Sequence, residues 1–328
     1  MHTVDIEIFC IAQTRMNEEE TRRWLDRCGA SETPVPIVAD TETIYGPQSN
    51  DGMTVYPGKK KEVSDAGAVC GLCAKRCYMS FEPGLNPNVT RVRKVWHEYL
   101  TNILKSGHGS VIEHATWTFA IEGISRVFTG ELNRHRAGVA ISEGSMRYIR
   151  FDDIGFWMPT SLAEGSKMLM PTRKCKVCGG TGDMPGVTCE DCDGTGRLES
   201  IPLKVFERKK ETTRYIFEQG FNEMESNYKS LCTLWGIEEL KDFNIKKKLT
   251  SMFRRLIGMG VATGGTWTFN ARALRHILAL RTSPHAEEEI AMVMGMIGKY
   301  IIDSEPALFG DFSLDEATGT WIPENAKI

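Results

Sequence analysis

The sequence predicts an α+β fold, because strand-like alternation and helical stripes follow one another along the chain. Residues 4 to 12 set Val4, Ile6 and Ile8 against Asp5 and Glu7, the period-two pattern of a half-buried strand. Residues 115 to 121 (ATWTFAI) repeat it with Trp117, Phe119 and Ile121. Helical spacing dominates the second half, where Phe217, Phe221, Met224, Tyr228 and Leu231 fall on one stripe.

With 328 residues the chain can bury a large core, as one big domain or as one domain with insertions. Its 41% hydrophobic and 25% charged residues are those of a soluble globular protein. A net charge of −3 argues against non-specific nucleic-acid coating, so any anion site must be a local cluster. No apolar run approaches the roughly 18 residues of a membrane span. The start MHTVDIEIF has neither the basic nor the apolar region of a signal peptide. Ten cysteines, many in CxxC pairs, suggest metal sites in a reducing, cytoplasmic setting rather than disulfides.

The elements follow in order. A helix is expected from Asn17 to about Arg27, with acids in its first turn. Residues 29 to 66 are rich in Pro, Gly, Asp, Ser and Lys and read as irregular. The regular core starts near Cys70. Val92, Val95, Trp96, Tyr99, Leu100, Ile103 and Leu104 form the stripe of a helix that Gly107 ends. After the 115–121 strand, a short helix with Ile124, Val127, Phe128 and Leu132 inward leads to RHR (134–136) and a loop. Residues 160 to 200 are Gly- and Cys-rich, lack a core pattern and read as an insertion. A basic helix (Lys246 to Arg255) precedes an apolar, glycine-rich run to Phe269. Two helices close the chain: NARALRHILALR, and one opened by Pro284 with Glu287, Glu288 and Glu289 in its first turn. The expected organisation is therefore an N-terminal extension (1–66), a first core part (67–160), the insertion (161–202) and a second core part (203–328).

Four clusters carry chemistry. Cys175-x2-Cys178 and Cys189-x2-Cys192, each followed by GxG, suit tetrahedral zinc bound by four thiolates. The repeated CxxCxGxG resembles one zinc unit of the cysteine-rich region of DnaJ-type chaperones. A closed four-cysteine site has no open position, so a structural or a binding role is expected of it rather than catalysis. Cys70, Cys73 and Cys77 form an incomplete set, more in keeping with buried small hydrophobes than with a metal. HGSVIEH (108–114) is a Gly/Ser turn flanked by histidines, able to hold phosphate or simply to cap a helix. In RHRAGVAISEGSMRY (134–148), three cationic or imidazole groups precede Ser145, Arg147 and Tyr148. This is either a solvated basic turn or an anion site. Arg281, closing an apolar helix, is either in a surface ion pair with an acid of the next helix or a partly buried guanidinium aimed into a site.

Together these segments resemble the flavin-dependent thymidylate synthases. The family signature RHR-x7-8-S is met with eight intervening residues, and AKRCYMS (74–80), HGSVIEH and NARALRHILALRTSPHAEEEI (270–290) follow the family's other motifs in its order. The resemblance covers about 70–160 and 203–305 and implies a twisted, mostly antiparallel sheet flanked by long helices. It implies FAD held by Arg134, His135 and Arg136, with His108, Ser110, Asn270 and His276 also at the flavin. It implies dUMP, or a related pyrimidine nucleotide, held by Glu131, Glu143, Ser145 and Arg147, with Arg254 or Arg255 on the phosphate from a neighbouring subunit. Arg281 would lie against the pyrimidine, and Arg281 and Ser145 would be the catalytic residues. Methylenetetrahydrofolate would be the carbon donor and NADPH the reductant, in a homotetramer with shared active sites that needs neither nucleic acid nor membrane. The family's proline after the phosphate-binding arginine is replaced here by RRLIGMG. The first 65 residues and the cysteine-rich insertion have no counterpart in the family pattern. Alternatives are a flavin-dependent C5 hydroxymethylase and a non-catalytic zinc-ribbon binding protein on the same fold.

Overall fold

The computed structural model describes residues 2–35, 63–148, 153–185 and 187–328. Its strands are β1 (His2–Thr3), β2 (Glu7–Gln13), β3 (Thr116–Ser125), β4 (Val139–Glu143), β5 (Gly155–Phe156), β6 (Thr172–Lys174), β7 (Asp183–Met184), β8 (Val187–Thr188), β9 (Arg197–Glu199), β10 (Ala262–Asn270), β11 (Phe312–Asp315) and β12 (Thr320–Pro323). Its helices are α1 (Glu18–Arg27), α2 (Asp65–Tyr78), α3 (Trp96–Lys105), α4 (Arg126–Leu132), α5 (Leu203–Leu234), α6 (Phe243–Phe253), α7 (Ala271–Arg281), α8 (Glu288–Ser304) and α9 (Pro306–Phe309). They divide into two compact units, one of Met1–Val4 with Ser145–Ala262, the other of Asp5–Gly144 with Thr263–Ile328.

The second of these holds the main sheet, of order β2-β3-β10-β4, in which β2 pairs antiparallel with β3 and β4 with β10. Alternation dictates its buried face: Trp117, Phe119 and Ile121 of β3 and Trp267 and Phe269 of β10 are all buried. Phe128 of α4 meets Trp267 edge-on, centroids 6.2 Å apart. Helix α8 contributes Ile290, Val293, Met294, Ile297 and Ile301 to the same core. At about 1.5–3 kcal/mol for each large side chain buried, such residues dominate the stability. The carboxylate of Glu289 reaches from α8 to the junction of β3 and α4. It accepts from the Ser125 backbone N–H at 2.6 Å and from the Ser125 hydroxyl, which itself caps α4. Lys75, buried on α2, has carbonyls for partners: it donates to those of Ser80 and Arg93 and lies over the rings of Trp96 and Tyr99. Burial, then the nearby Arg93 charge, brings its amine down to about 8.

Several elements depart from the sequence expectation. Helix α3 starts at Trp96, so Val92 and Val95 precede it and Val95 is exposed. The Arg93 carbonyl is taken by Lys75, which holds that stretch outside the helix. Residues 139–143, expected as loop, form β4, because β10 offers an antiparallel edge for them. The glycine-rich run before Phe269 is β10 itself, a strand inside the sheet. Glycine serves there: a Cβ on Gly265 would lie 2.5 Å from the Ser142 carbonyl oxygen. Pro284 lies in the turn before α8, which begins at Glu288 with the Glu287 side chain as its cap. Helix α2 starts at Asp65, within the stretch expected to be irregular, while residues 36–62 of that stretch lie outside the described residues. Cys70 of α2 is buried and its thiol is pushed up to about 12 by burial, whereas Cys77 is exposed.

In the other unit α5, 32 residues long, packs with α6 around Tyr228, Leu249, Phe253 and Val261. Phe156 of β5 stacks on Phe221 of α5 at 4.5 Å. The cysteine-rich segment is bracketed by the antiparallel pair β6–β9. No helix among the described residues is long and apolar enough to cross a membrane.

The C-terminal hairpin β11–β12 is tied down by Arg275, which grips Asp311 with two bonds of 2.6 and 2.7 Å. Burial alone would raise the Asp311 carboxyl, but the hydrogen bonds and charge of Arg275, with Asn325, hold it below the ordinary range. Removing one partner of such a buried pair costs about 3–5 kcal/mol. Asp311→Ala is therefore expected to lower the unfolding free energy by that amount at neutral pH. Because the folded-state value is depressed, this stabilisation is complete above about pH 4 and is lost as pH falls through the folded value. Unfolding curves from pH 7 to pH 3 check both the size and the sign.

Candidate functional site

Helix α4 ends at Leu132, and after its cap Asn133 the RHR triplet lies outside the helix. Arg134 and Arg136 are exposed and His135 is half-buried. From α7, Arg281 reaches this turn with only 15% of its side chain exposed. Its Nε donates to His135 Nε2 at 2.9 Å, its Nη1 to Glu131 Oε2 at 2.7 Å and its Nη2 to the Glu131 carbonyl at 3.3 Å. The partner is thus Glu131 of α4 rather than an acid of the next helix. A guanidinium has no lone pair to offer, so His135 Nε2 must be unprotonated and the ring neutral with its proton on Nδ1. Burial and then the Arg281 charge pull His135 below the usual imidazole range. His276, one turn before Arg281, meets the His135 ring at 6.0 Å.

Asn270 caps α7 by accepting from the Ala273 N–H at 2.8 Å, and its own N–H donates to the Gly138 carbonyl. Gly138 has φ +71°, and a Cβ there would lie 2.6 Å from the Asn270 amide. The turn after RHR is thereby pressed onto the cap. Glu143, at the end of β4, is bound by Arg126 and by Asn133 Nδ2 at 2.9 Å. His108 stands at the start of the 109–114 turn with its ring stacked on Tyr78 at 5.6 Å, and Ser110 of that turn is exposed.

Ser145 and Arg147 belong to the other unit. There the Arg147 carbonyl accepts from Thr250 of α6 at 3.4 Å, and Arg254 and Arg255 form the single turn after that helix. Tyr148 is exposed, with Lys247 4.8 Å from its ring centre; the hydrogen bond and charge of that lysine lower its hydroxyl. Sequence reasoning did not single out Arg126, Asn133, Trp267 or Tyr78. Tyr78 lies within AKRCYMS but was given no role, the other three lie in no spaced motif, and only the strand pairing of β4 reveals what Arg126 and Asn133 touch.

The four cysteines form a second site. Their sulfurs lie within 4.8 Å of one another, with Cys175 and Cys189 3.9 Å apart and Cys178 and Cys192 3.7 Å apart. Tetrahedral zinc with Zn–S of about 2.3 Å requires sulfurs about 3.8 Å apart, and these pairs match. The two knuckles repeat each other: the Gly182 N–H donates to Cys178 Sγ and the Gly196 N–H to Cys192 Sγ, at 3.3 and 3.2 Å. A Cβ on Gly182 would sit 2.1 Å from the Gly194 carbonyl oxygen, and one on Gly196 2.4 Å from that of Gly180. Burial opposes ionisation of Cys178, but the N–H groups of Gly182 and Gly180 and the neighbouring thiols bring it down to about 6.

Comparison with known proteins identifies the family. The family model described as "Thy1: Thymidylate synthase complementing protein" matches residues 61–307. The chain belongs to that family. A flavin-dependent thymidylate synthase of Mycobacteroides abscessus is 27% identical over 281 residues, covering 85% of this chain and 90% of that one. Another, from Corynebacterium aurimucosum, is 24% identical over 285 residues, 87% and 92% of the two chains. Among solved structures, a UMP/dUMP methylase, PolB from Streptomyces cacaoi bound with 5-Br UMP, covers 94% of each chain with a TM-score of 0.51 and 14% identity, a likeness of fold.

The hydrogen-bond scheme around Arg281 has a direct spectroscopic consequence. In nitrogen-15 NMR the His135 ring is expected to carry its proton on Nδ1 and to titrate below the free-histidine value of about 6.5. Arg281→Ala is expected to move that midpoint upward. A His135 that titrates normally in the unaltered protein contradicts the scheme.

Proposed function

We propose that the chain is a flavin-dependent thymidylate synthase, converting dUMP to dTMP with methylenetetrahydrofolate as carbon donor and NADPH as reductant. The carrying observation is the guanidinium of Arg281, partly buried and held on two sides by Glu131 and His135. Bound FAD supplies the hydride that this chemistry requires. The donor set suits such a group: Arg134 and Arg136 present exposed guanidinium forks for a diphosphate, and His135 keeps an Nδ1–H free to donate. Reduction of a pyrimidine ring places negative charge on its carbonyl oxygens, and a preorganised guanidinium stabilises that charge without reorganising. Glu131 fixes the fork in place, and its charge balances that of Arg281 before substrate arrives. Ser145 contributes a hydroxyl and Arg147 a bidentate anion fork for the nucleotide. Arg254 or Arg255 binds its phosphate, and His108, Ser110, Asn270 and His276 support the flavin. The working form is a homotetramer with shared active sites.

The cysteine cluster is assigned to one structural zinc ion. The sulfur spacing, the N–H···S bonds and the obligatory glycines support it. With all four positions of a tetrahedron taken by thiolates, no position remains for substrate, so the zinc has no part in turnover.

The test is NADPH- and folate-dependent tritium release from 5-tritiated dUMP, with mass spectrometry of the product. A methylated nucleotide is expected; a hydroxymethyl product, or a protein that does not bind FAD, refutes the assignment. Arg281→Ala is expected to retain FAD and lose turnover by roughly two orders of magnitude or more, as removal of one preorganised donor does elsewhere. Metal analysis is expected to find one zinc per chain. Cys175→Ser is expected to lose it and to disorder residues 172–199 while FAD binding persists. Loss of FAD together with the metal would contradict a role confined to the insertion.

A further inference from the structure

We propose that Arg126 is a positioning residue for the nucleotide, acting through Glu143. The inference rests on the thymidylate synthase reading, in which Glu143 contacts the pyrimidine nucleotide. The two side chains are 16% and 17% exposed, and Arg126 uses both ends of its fork: Nη1 donates to Glu143 Oε1 and Nη2 to the Gly144 carbonyl. It thus fixes two consecutive residues, a carboxylate and a backbone oxygen, at the point where β4 ends and the chain proceeds to Ser145 and Arg147. Arginine at the first position of a helix is electrostatically disfavoured, so nothing in α4 itself calls for a cation there.

The second oxygen of Glu143 is fixed by an independent chain. An indole N–H can only donate, so the bond from Trp267 Nε1 to Asn133, at 2.9 Å, assigns the oxygen of that amide to the tryptophan. The amide NH2 must therefore face Glu143, and it donates to Oε2 at 2.9 Å. Trp267 is fully buried and cannot turn away. Glu143 is consequently gripped at both oxygens by donors, and each oxygen retains an acceptor site. The sheet cooperates: Gly265 pairs with Glu143, the Gly144 N–H donates to the Gly264 carbonyl at 2.9 Å, and a Cβ on Gly265 would lie 2.9 Å from the Glu143 Cα. An anchored, acceptor-only carboxylate recognises a hydrogen-bond donor. On a pyrimidine nucleotide that donor is the ring N3–H or a sugar hydroxyl.

The experiment titrates FAD-loaded protein with dUMP by calorimetry, alongside FAD content, thermal midpoint, kcat and KM. Arg126→Met is expected to weaken dUMP binding roughly tenfold or more, since it strips a buried carboxylate of its cation. FAD content is expected to hold, with the loss falling on KM more than on kcat. Arg126→Lys, which cannot grip both acceptors, is expected to recover only part of the affinity. Asn133→Ala loosens Glu143 from its other side and is expected to give an intermediate loss. The double variant Arg126→Met/Glu143→Gln is expected to bind about as weakly as the poorer single variant, since both act on one contact. Comparison of N3-methyl-dUMP with 3′-deoxy-dUMP locates the donor: the analogue lacking it binds the unaltered protein weakly and is insensitive to Arg126→Met.

The inference is overturned if Arg126→Met binds dUMP within about twofold of the unaltered protein. It is equally overturned if dUMP affinity, FAD content and thermal midpoint fall together and Arg126→Lys restores none of them. If Arg126→Met does not fold, the Asn133→Ala and Glu143→Gln arms decide: additive losses of dUMP affinity in their double variant contradict the clamp. Failure of the unaltered protein to bind dUMP at all would instead refute the thymidylate synthase reading on which the inference stands.

Discussion

The grip of Glu131 and His135 on Arg281 is the constraint around which the RHR turn and the ends of α4 and α7 are arranged. It ties the last residue of α7 to the end of α4 and to the turn that follows. It also dictates a protonation state, because an arginine can be accepted only by an unprotonated imidazole nitrogen. A guanidinium this enclosed would be costly without partners. One carboxylate and one neutral imidazole leave it cationic and fixed, the condition under which a charge can stabilise a transition state with little reorganisation.

The surrounding architecture serves that placement. The Glu289 carboxylate locks the start of α4 to α8 through Ser125. Asn270 fixes the start of α7 and presses on Gly138 in the RHR turn. Both ends of the linkage between α4 and α7 are therefore pinned by capping groups, and the apolar core of β3, β10 and α8 backs them. Along the same strand pair, Arg126 and Asn133 do for Glu143 what Glu131 and His135 do for Arg281. Helix α4 and its first following residues thus carry partners for both an acid and a base of the site.

Much of this was legible in the sequence where the signal is local. Asn17 with three glutamates after it announced α1, and the alternation of Trp117, Phe119 and Ile121 announced β3. The cysteine knuckles were legible because the repeated CxxC spacing is itself a local signal, and their four sulfurs lie within 4.8 Å of one another. The less legible parts depend on partners far away in sequence. Residues 139–143 carry too few large apolar groups to read as a strand, and become β4 only because β10 lies beside them. The glycines of β10 hid a strand, since Gly265 admits the close approach of the β4 backbone and Gly264 that of the Glu122 side chain. Val92 and Val95 fit a helical stripe by spacing alone, while a lysine from α2 takes the carbonyl that a helix would have used. The partner of Arg281 lies 150 positions away, which no periodicity can reveal.

The account stands most directly on the tether of Arg281, and Glu131 separates geometry from charge. Single-turnover oxidation of the reduced, FAD-loaded protein by dUMP and methylenetetrahydrofolate, in Glu131→Gln and Glu131→Ala, measures it. A glutamine oxygen can still accept from the guanidinium, whereas alanine leaves it untethered. The expected result is a rate for Glu131→Gln within about tenfold of the unaltered protein and a further drop of about tenfold or more for Glu131→Ala, roughly 1.4 kcal/mol per factor of ten, with FAD retained in both. Equal rates for the two variants, or an alanine variant as fast as the unaltered protein, would contradict it.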